Sequence, residues 1–309
     1  MDDILQVLNI NIPYNDRLSQ INKVMSQANP NFSELQLTVV STSLNYDQST
    51  YIITPKGLQN SKRDAKDGIV LFGYERNYND KRDKETNNIN NDNIYSNSKK
   101  NNIPLDSINN ECNNDFQYND FVFPIEEKED NNSLYEFPNF AIYYKIEDGN
   151  YYIKDFNTGL GALMKIKKYE MKGNTLVNIG SNYLVIYINK NKISIKIFNN
   201  TILESLNSNE RNSAKFELQE FEITENENFV INIGRNQQCD VIIEDMMLSK
   251  IQCYMEYNCS EKNFYLIDGN GQKESTNGTW VFILNPTRIT DNFVFKAEHT
   301  LFMANLVHS

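Results

Sequence analysis

Three short stretches of this 309-residue chain carry the residue types that grip an oxyanion. Gly234-Arg235 closes an apolar run, Ser249-Lys250 sits in the next polar loop, and Ser275-Thr276-Asn277-Gly278-Thr279 sits in a third. An Arg fork gives charge-assisted bonds worth about 1.5–3 kcal/mol each, a hydroxyl adds a donor, and a Lys adds a point charge on a flexible stem. That set suits a phosphate dianion. Asn277 carries both a donor and an acceptor, so it can hold an extended peptide by its main chain. Each residue also has a plainer reading. Arg235 alone reads as an exposed strand-end cation, Ser249 as a turn residue bonding its own backbone, Lys250 as a solvated loop cation, and Asn277-Gly278 as a turn pair. It is their occurrence together that favours a ligand.

The elements that must position these residues are strands. Short apolar runs at 231–234, 241–243, 251–257, 263–267 and 280–284 alternate with polar turns, the pattern of a sandwich whose loops cluster at its ends. Trp280 lies in the strand after the third loop and reads as core. Asp268 reads as a turn-fixing residue.

The order of the three motifs resembles the forkhead-associated (FHA) domain, a reader of phosphothreonine peptides. The family pattern is Gly-Arg, then Ser-x-x-His, then Asn-Gly-Thr. Here it stands as Gly234-Arg235, Ser249-Lys250-Ile251-Gln252 and Asn277-Gly278-Thr279. The resemblance implies that Arg235, Ser249 and Lys250 bind phosphate and that Thr276 and Asn277 hold the peptide. It assigns Gly234, Gln252 and Gly278 to loop geometry. Gln252 departs from the pattern, since the family places there a His that braces the binding loops. A preference for phosphothreonine over phosphoserine, through a pocket for the threonine methyl, is implied in the same way.

Composition bounds the alternatives. The chain carries 41 acidic against 30 basic residues, a net charge of −11. That argues against nucleic acid, which needs a basic face, but leaves room for one phosphate held by a local cluster of cations. The four cysteines (Cys112, Cys239, Cys253, Cys259) form no CxxC pair, and the two histidines, His299 and His308, lie near the C-terminus. Neither a metal site nor any other cofactor is expected, and reduced thiols point to an intracellular protein, cytoplasmic or nuclear. The N-terminal stretch MDDILQVLNINIPYND has no basic segment and no long apolar run, so no signal peptide and no membrane association are expected. No nucleophile has a plausible base nearby, no Walker loop occurs, and GLG at 159–161 is not a dinucleotide fingerprint. The sequence therefore predicts neither an enzyme nor a small-molecule substrate.

The expected fold class is all-β: two tandem antiparallel β-sandwiches, FHA/SMAD-like, with a disordered Asn-rich insertion in the first. Residues 1–34 form a leader in which Leu18, Ile21, Val24 and Met25 recur at helical spacing, a short helix that packs on its neighbour or docks another protein. Residues 35–190 are expected to be a divergent FHA-like sandwich. Its segment 77–118, rich in Asn, Asp, Lys and Ser, cannot bury enough apolar surface to offset its ordering entropy. Residues 191–309 are the expected FHA domain, with a junction at 189–191. The two parts echo each other. NYYIKD (150–155) matches NFYLID (263–268), FG at 72–73 lines up with IG at 233–234, and NDFVFP (119–124) with CDVIIE (239–244). In this register Tyr74 stands for Arg235, Glu136 for Ser249, Asn139 for Gln252 and Leu160 for Asn277. The first copy has thus lost its phosphate ligands and reads as a scaffold.

The function expected is phosphothreonine-peptide recognition, without catalysis, by an adaptor or scaffold in phosphorylation-dependent signalling, with a phosphothreonine-containing protein as partner. The alternative is a structural interaction scaffold of the same fold that binds an unmodified partner. A regulatory subunit of a kinase or phosphatase complex is compatible with either.

Overall fold

The computed structural model describes residues 2–26, 32–44, 46, 49–61, 63, 66–74, 119–123, 138–158, 161–189, 192–199 and 216–308. The insertion expected at 77–118 lies outside them, as do Glu136 and Leu160. Apart from two N-terminal helices the described chain is all-β, as the short alternating runs require. It divides into two compact units. Among the described residues no helix is long and apolar enough to cross a membrane.

The first unit comprises Met1–Leu37, Leu44–Gly159 and Leu306–Ser309. It opens with helices α1 (Asp2–Val7) and α2 (Tyr14–Met25). Strands β1 (Ser33–Thr42), β2 (Thr50–Thr54) and β3 (Gly57–Leu58) follow, and residues 38–43 count with the second unit. Then come β4 (Ile69–Gly73), β5 (Phe121–Val122), β6 (Phe140–Lys145) and β7 (Asn150–Asp155), which pair in the order β5-β4-β6-β7. Tyr151 of β7 donates its hydroxyl to the carbonyls of Ser33 (2.9 Å) and Ile53 (3.2 Å), and the Tyr51 ring meets Phe121 edge-on at 4.8 Å. These contacts tie this sheet to β1 and β2. Its other face is covered by the leader: Ile4, Leu5 and Leu8 pack with Ile69, Leu71, Ala141 and Tyr143. Burial on both faces explains why β4, IVLFG, is apolar throughout instead of alternating. The helix read from the spacing of Leu18, Ile21, Val24 and Met25 is present, but Arg17 and Ile21 are its buried residues. Arg17 donates from Nε to the Asp67 carbonyl (2.7 Å) and from Nη2 to the Tyr144 carbonyl (2.7 Å), so its charge goes in with hydrogen-bond partners.

The second unit comprises Thr38–Ser43 and Leu160–Asn305. Its strands begin with β8 (Ala162–Ile166), β9 (Lys168–Met171), β10 (Thr175–Ile179), β11 (Asn182–Asn189), β12 (Lys192–Asn199) and β13 (Glu217–Glu222). They continue with β14 (Phe229–Gly234), β15 (Val241–Ile242), β16 (Cys253–Asn258) and β17 (Asn263–Asp268). The last are β18 (Thr279–Phe282), β19 (Thr287–Arg288), β20 (Phe293–Ala297) and β21 (Thr300–His308). One sheet runs β13-β12-β11-β10-β18-β8-β20-β21, the other β15-β14-β16-β17-β9. Strict alternation in β11 and β12 puts Leu184, Ile186, Ile193 and Ile195 in the core at 0% exposure. Cys253 is equally buried, and burial pushes its thiol up to about 12, so it behaves as a small apolar residue. No disulfide links the described cysteines.

The second unit begins before the junction expected from sequence at 189–191. Asn189 pairs with Lys192 in the β11–β12 hairpin, and both strands belong to the second unit, which starts at Leu160. The reason is hydrogen bonding. Strand β18 needs a partner on each side, and both come from earlier in the chain: Val177 of β10 pairs with Val281, and Ile166 of β8 pairs with Thr279. In the other sheet, Tyr169 of β9 pairs with Leu266. A second difference is local. Strands β14 and β15 are parallel, because residues 235–240 carry the chain back across the end of the sheet.

The two units share a pairing pattern. Phe72 and Gly73 pair in parallel with Phe121 and Val122, as Ile233 and Gly234 do with Val241 and Ile242. Phe140 pairs with Asp155, and Cys253 with Asp268. The Asn139 N–H donates to the Phe72 carbonyl at 2.7 Å, the Gln252 N–H to the Ile233 carbonyl at 2.8 Å.

Because β11 is integral to the second unit, Ile186→Ala should destabilise that unit by about 2–5 kcal/mol through the cavity it leaves. Urea unfolding followed by fluorescence of Trp280, the single tryptophan, measures this. An unshifted transition would mean that β11 is not part of the core.

Candidate functional site

The site is built where β14 ends. A Cβ on Gly234 would run into the Lys250 carbonyl and stand 3.0 Å from the Gln252 nitrogen, so only glycine lets the β15–β16 loop lie against this strand. That close approach is held by two main-chain bonds, Arg235 N–H to the Ser249 carbonyl (3.3 Å) and Asn236 N–H to the Lys250 carbonyl (3.1 Å). The Arg235 side chain joins them: Nε donates to the Leu248 carbonyl at 2.8 Å. Among the described residues no partner engages its Nη1 or Nη2, and no carboxylate pairs with Arg235 or Lys250.

The third loop, between β17 and β18, is pinned to the second at two points. The Thr276 N–H donates to Ser249 Oγ at 3.0 Å, with the two hydroxyls 3.4 Å apart, and Asn277 Nδ2 donates to the Met247 carbonyl at 2.7 Å. Trp280 holds Asn277 from behind, its Nε1–H donating to the Asn277 carbonyl at 3.0 Å. Lys296 lies over the same ring, its Nζ 4.7 Å from the centroid. Gly278 takes a φ of +76°, a left-handed turn conformation.

Beneath these contacts sits Gln252, at 0% exposure. Its Oε1 accepts the Ser249 N–H at 3.0 Å, and its Nε2 donates to Ser275 Oγ at 2.8 Å and to the Gly278 carbonyl at 2.9 Å. The residue in the family's His position therefore braces the second loop against the third through its side-chain amide. Asp268 continues the brace. It accepts the Ser275 N–H (2.9 Å), the Ser275 hydroxyl (2.6 Å) and the Thr279 hydroxyl (2.7 Å).

Arg235, Ser249, Thr276 and Asn277 thus meet at one end of the second unit, from three loops. Lys250 joins by its main chain, and its side chain is exposed. The family model for the FHA domain matches residues 231–297, from β14 to β20. This segment is similar to the FHA domain. FHA domains are phosphothreonine-binding interaction modules of signalling proteins, not enzymes. The match begins within β14, and the FHA sheet is completed by β8, β10, β11 and β12, which precede it. No curated protein and no solved structure matches the chain.

Tyr74, which the sequence register sets against Arg235, puts its ring against Phe123 at 5.5 Å. Sequence reading missed the carbonyls of Met247 and Leu248 as loop anchors, because a main-chain acceptor leaves no mark in residue type.

Gln252→Ala would strand the Ser249 N–H and the Gly278 carbonyl, and should destabilise the FHA unit by about 1–3 kcal/mol per buried group left unpaired. Gln252→Glu should also destabilise it, since a carboxylate cannot donate to Gly278. Trp280-monitored unfolding reads both. Two wild-type curves would remove Gln252 as the brace.

Proposed function

We propose that the FHA domain of this protein reads a phosphothreonine in a partner protein and that the chain serves as an adaptor in phosphorylation-dependent signalling. The observation that carries the reading is the convergence of Arg235, Ser249 and Thr276-Asn277 from three loops, the second and third of them joined by one buried amide and the first tied to the second through Arg235. With Nε fixed on the Leu248 carbonyl, Arg235 keeps its Nη groups for the phosphate oxygens. Lys250 supplies a second positive charge, and Ser249 a hydroxyl. Asn277 spends one amide hydrogen on Met247 and keeps Oδ1 and the second hydrogen for the peptide main chain. Sites of this kind neutralise charge and fix an extended strand, and they need no group that changes covalently.

We further infer that the first unit is a divergent copy of the same sandwich whose phosphate site is gone. The shared registers at Gly73 and Gly234 support that reading, and Tyr74 marks the loss. Such a copy acts as scaffold.

Arg235→Ala should lower affinity for a phosphothreonine peptide by about 3 kcal/mol or more, the worth of two charge-assisted bonds. Stability should fall by only about 0.5–1.5 kcal/mol for the lost Leu248 bond. Asn277→Ala should weaken binding by about 1–3 kcal/mol. Isothermal titration with phosphorylated and unphosphorylated forms of one library-selected peptide checks the two affinities, and Trp280-monitored unfolding checks the stability. Equal affinity for the two forms would make this end of the domain an interface for an unmodified partner. Raising salt should weaken binding, though with the shallow slope of a single neutralised phosphate.

A further inference from the structure

The loop that carries Ser249 also carries an acid, Asp245, four residues earlier. Left loose, a carboxylate at that place would repel a phosphate dianion. It is not loose. Its Oδ2 accepts the Ser181 N–H at 3.1 Å, the Ser181 hydroxyl at 2.8 Å and the Asn182 Nδ2–H at 2.8 Å. Its Oδ1 accepts the Met247 N–H at 2.8 Å, and its carbonyl accepts the Leu248 N–H at 3.1 Å. Burial pushes this carboxyl up, but the bonds from Met247, Ser181 and Asn182 outweigh it and hold the group below the usual aspartate range.

The three donors on Oδ2 come from Ser181, in the turn between β10 and β11, and Asn182, the first residue of β11, well before the family match at 231–297. The fit is close. A Cβ on Gly180 would stand 2.6 Å from Asp245 Oδ2 and 3.0 Å from Leu248 Cδ2. Asn182 is itself buried, and Asn178 Nδ2 donates to its carbonyl at 3.0 Å, so the turn that grips Asp245 is anchored in turn. Met247 and Leu248, the residues placed by Asp245, offer the carbonyls that receive Asn277 Nδ2 and Arg235 Nε.

We propose that Asp245, clamped by Gly180-Ser181-Asn182, is the positioning residue of the phosphate site. It sets the Met247 and Leu248 carbonyls that orient Asn277 and Arg235, and the clamp fixes its carboxylate on Ser181 and Asn182. The FHA site is in this sense completed by a turn from outside the FHA match. The claim that it serves phosphate binding rests on the functional reading above. The claim that it sets the loop does not.

The test uses the full chain. Asp245→Asn keeps an acceptor for the Met247 N–H but presents an NH2 where three donors converge. Ser181→Ala removes one donor and leaves Asp245 in place. Affinity is measured for a library-selected phosphothreonine peptide and its unphosphorylated twin, and hydrogen exchange is followed by mass spectrometry. Asp245→Asn should lose about tenfold in affinity for the phosphorylated form, the loss expected from one or two displaced hydrogen bonds. Its affinity for the twin should fall by less, since of the two side chains it orients only Asn277 bears on the peptide main chain. Amides of 246–250 should exchange faster while those of 253–257 keep their protection. Ser181→Ala should shift both readouts in the same direction by less, and it decides the matter if Trp280 fluorescence shows that Asp245→Asn does not fold. Wild-type exchange across 246–250 in the folded variants overturns the inference. So does a uniform loss of affinity for both peptides, the signature of a merely structural role. If the wild-type protein does not discriminate between the peptides, the functional reading falls, and the exchange measurement alone still decides whether Asp245 sets the loop.

Discussion

A buried primary amide has two donor hydrogens and two acceptor lone pairs, and each one left unpaired in the interior costs about as much as a hydrogen bond is worth. Gln252 fills both donors and one lone pair with partners from both neighbouring loops: a main-chain N–H at Ser249, a hydroxyl at Ser275 and a main-chain carbonyl at Gly278. The positions of Ser249 and Asn277 are therefore not independent. A shift of either loop breaks a bond that water cannot replace, because Gln252 has no exposed surface. An imidazole, the family's residue here, has two ring nitrogens for the same task. The amide reaches three groups with two atoms.

The rest of the recognition end is arranged around that constraint. Gly234 lets the second loop descend close enough for Gln252 to reach it. Asp268 stiffens the third loop through Ser275 and Thr279. Trp280 then fixes the carbonyl of Asn277 while leaving its side chain toward Met247. Most of these bonds run between loops, so local order at this end comes from tertiary contacts more than from regular structure. A binding surface pre-set in this way loses little conformational freedom when it closes on a ligand.

The legible part of this protein was the part written in residue type. An Arg after a Gly, a Ser in the next loop and an Asn-Gly turn in the third singled out three loops that the structure joins by hydrogen bonds. The strands were legible from alternation: β14, β16, β17 and β18 fall within two residues of the apolar runs that mark them. Partnership was not. A period of two says that one face of β10 is buried, but nothing in TLVNI says that its edge belongs to β18. The membership of β8, β10 and β11 in the second unit was hidden for that reason. The clamp on Asp245 was hidden by the same limit. Its donors lie 63 and 64 residues earlier and have no spacing that could be read.

Strand β18 has its neighbours β8 and β10 made long before it. During synthesis at about 5–20 residues per second, β10 leaves the ribosome on the order of 5–20 s ahead of the strand that will cover its edge. In that interval the β10–β11–β12 meander can form by itself, since its hairpins are local. It then presents a row of unpaired main-chain groups along β10, flanked by the apolar side chains of Val177 and Ile179. The nascent chain must keep that edge away from other strands until Val281 arrives. An FHA fold whose first strands are borrowed from upstream thus accepts a period of exposure that a contiguous domain would avoid.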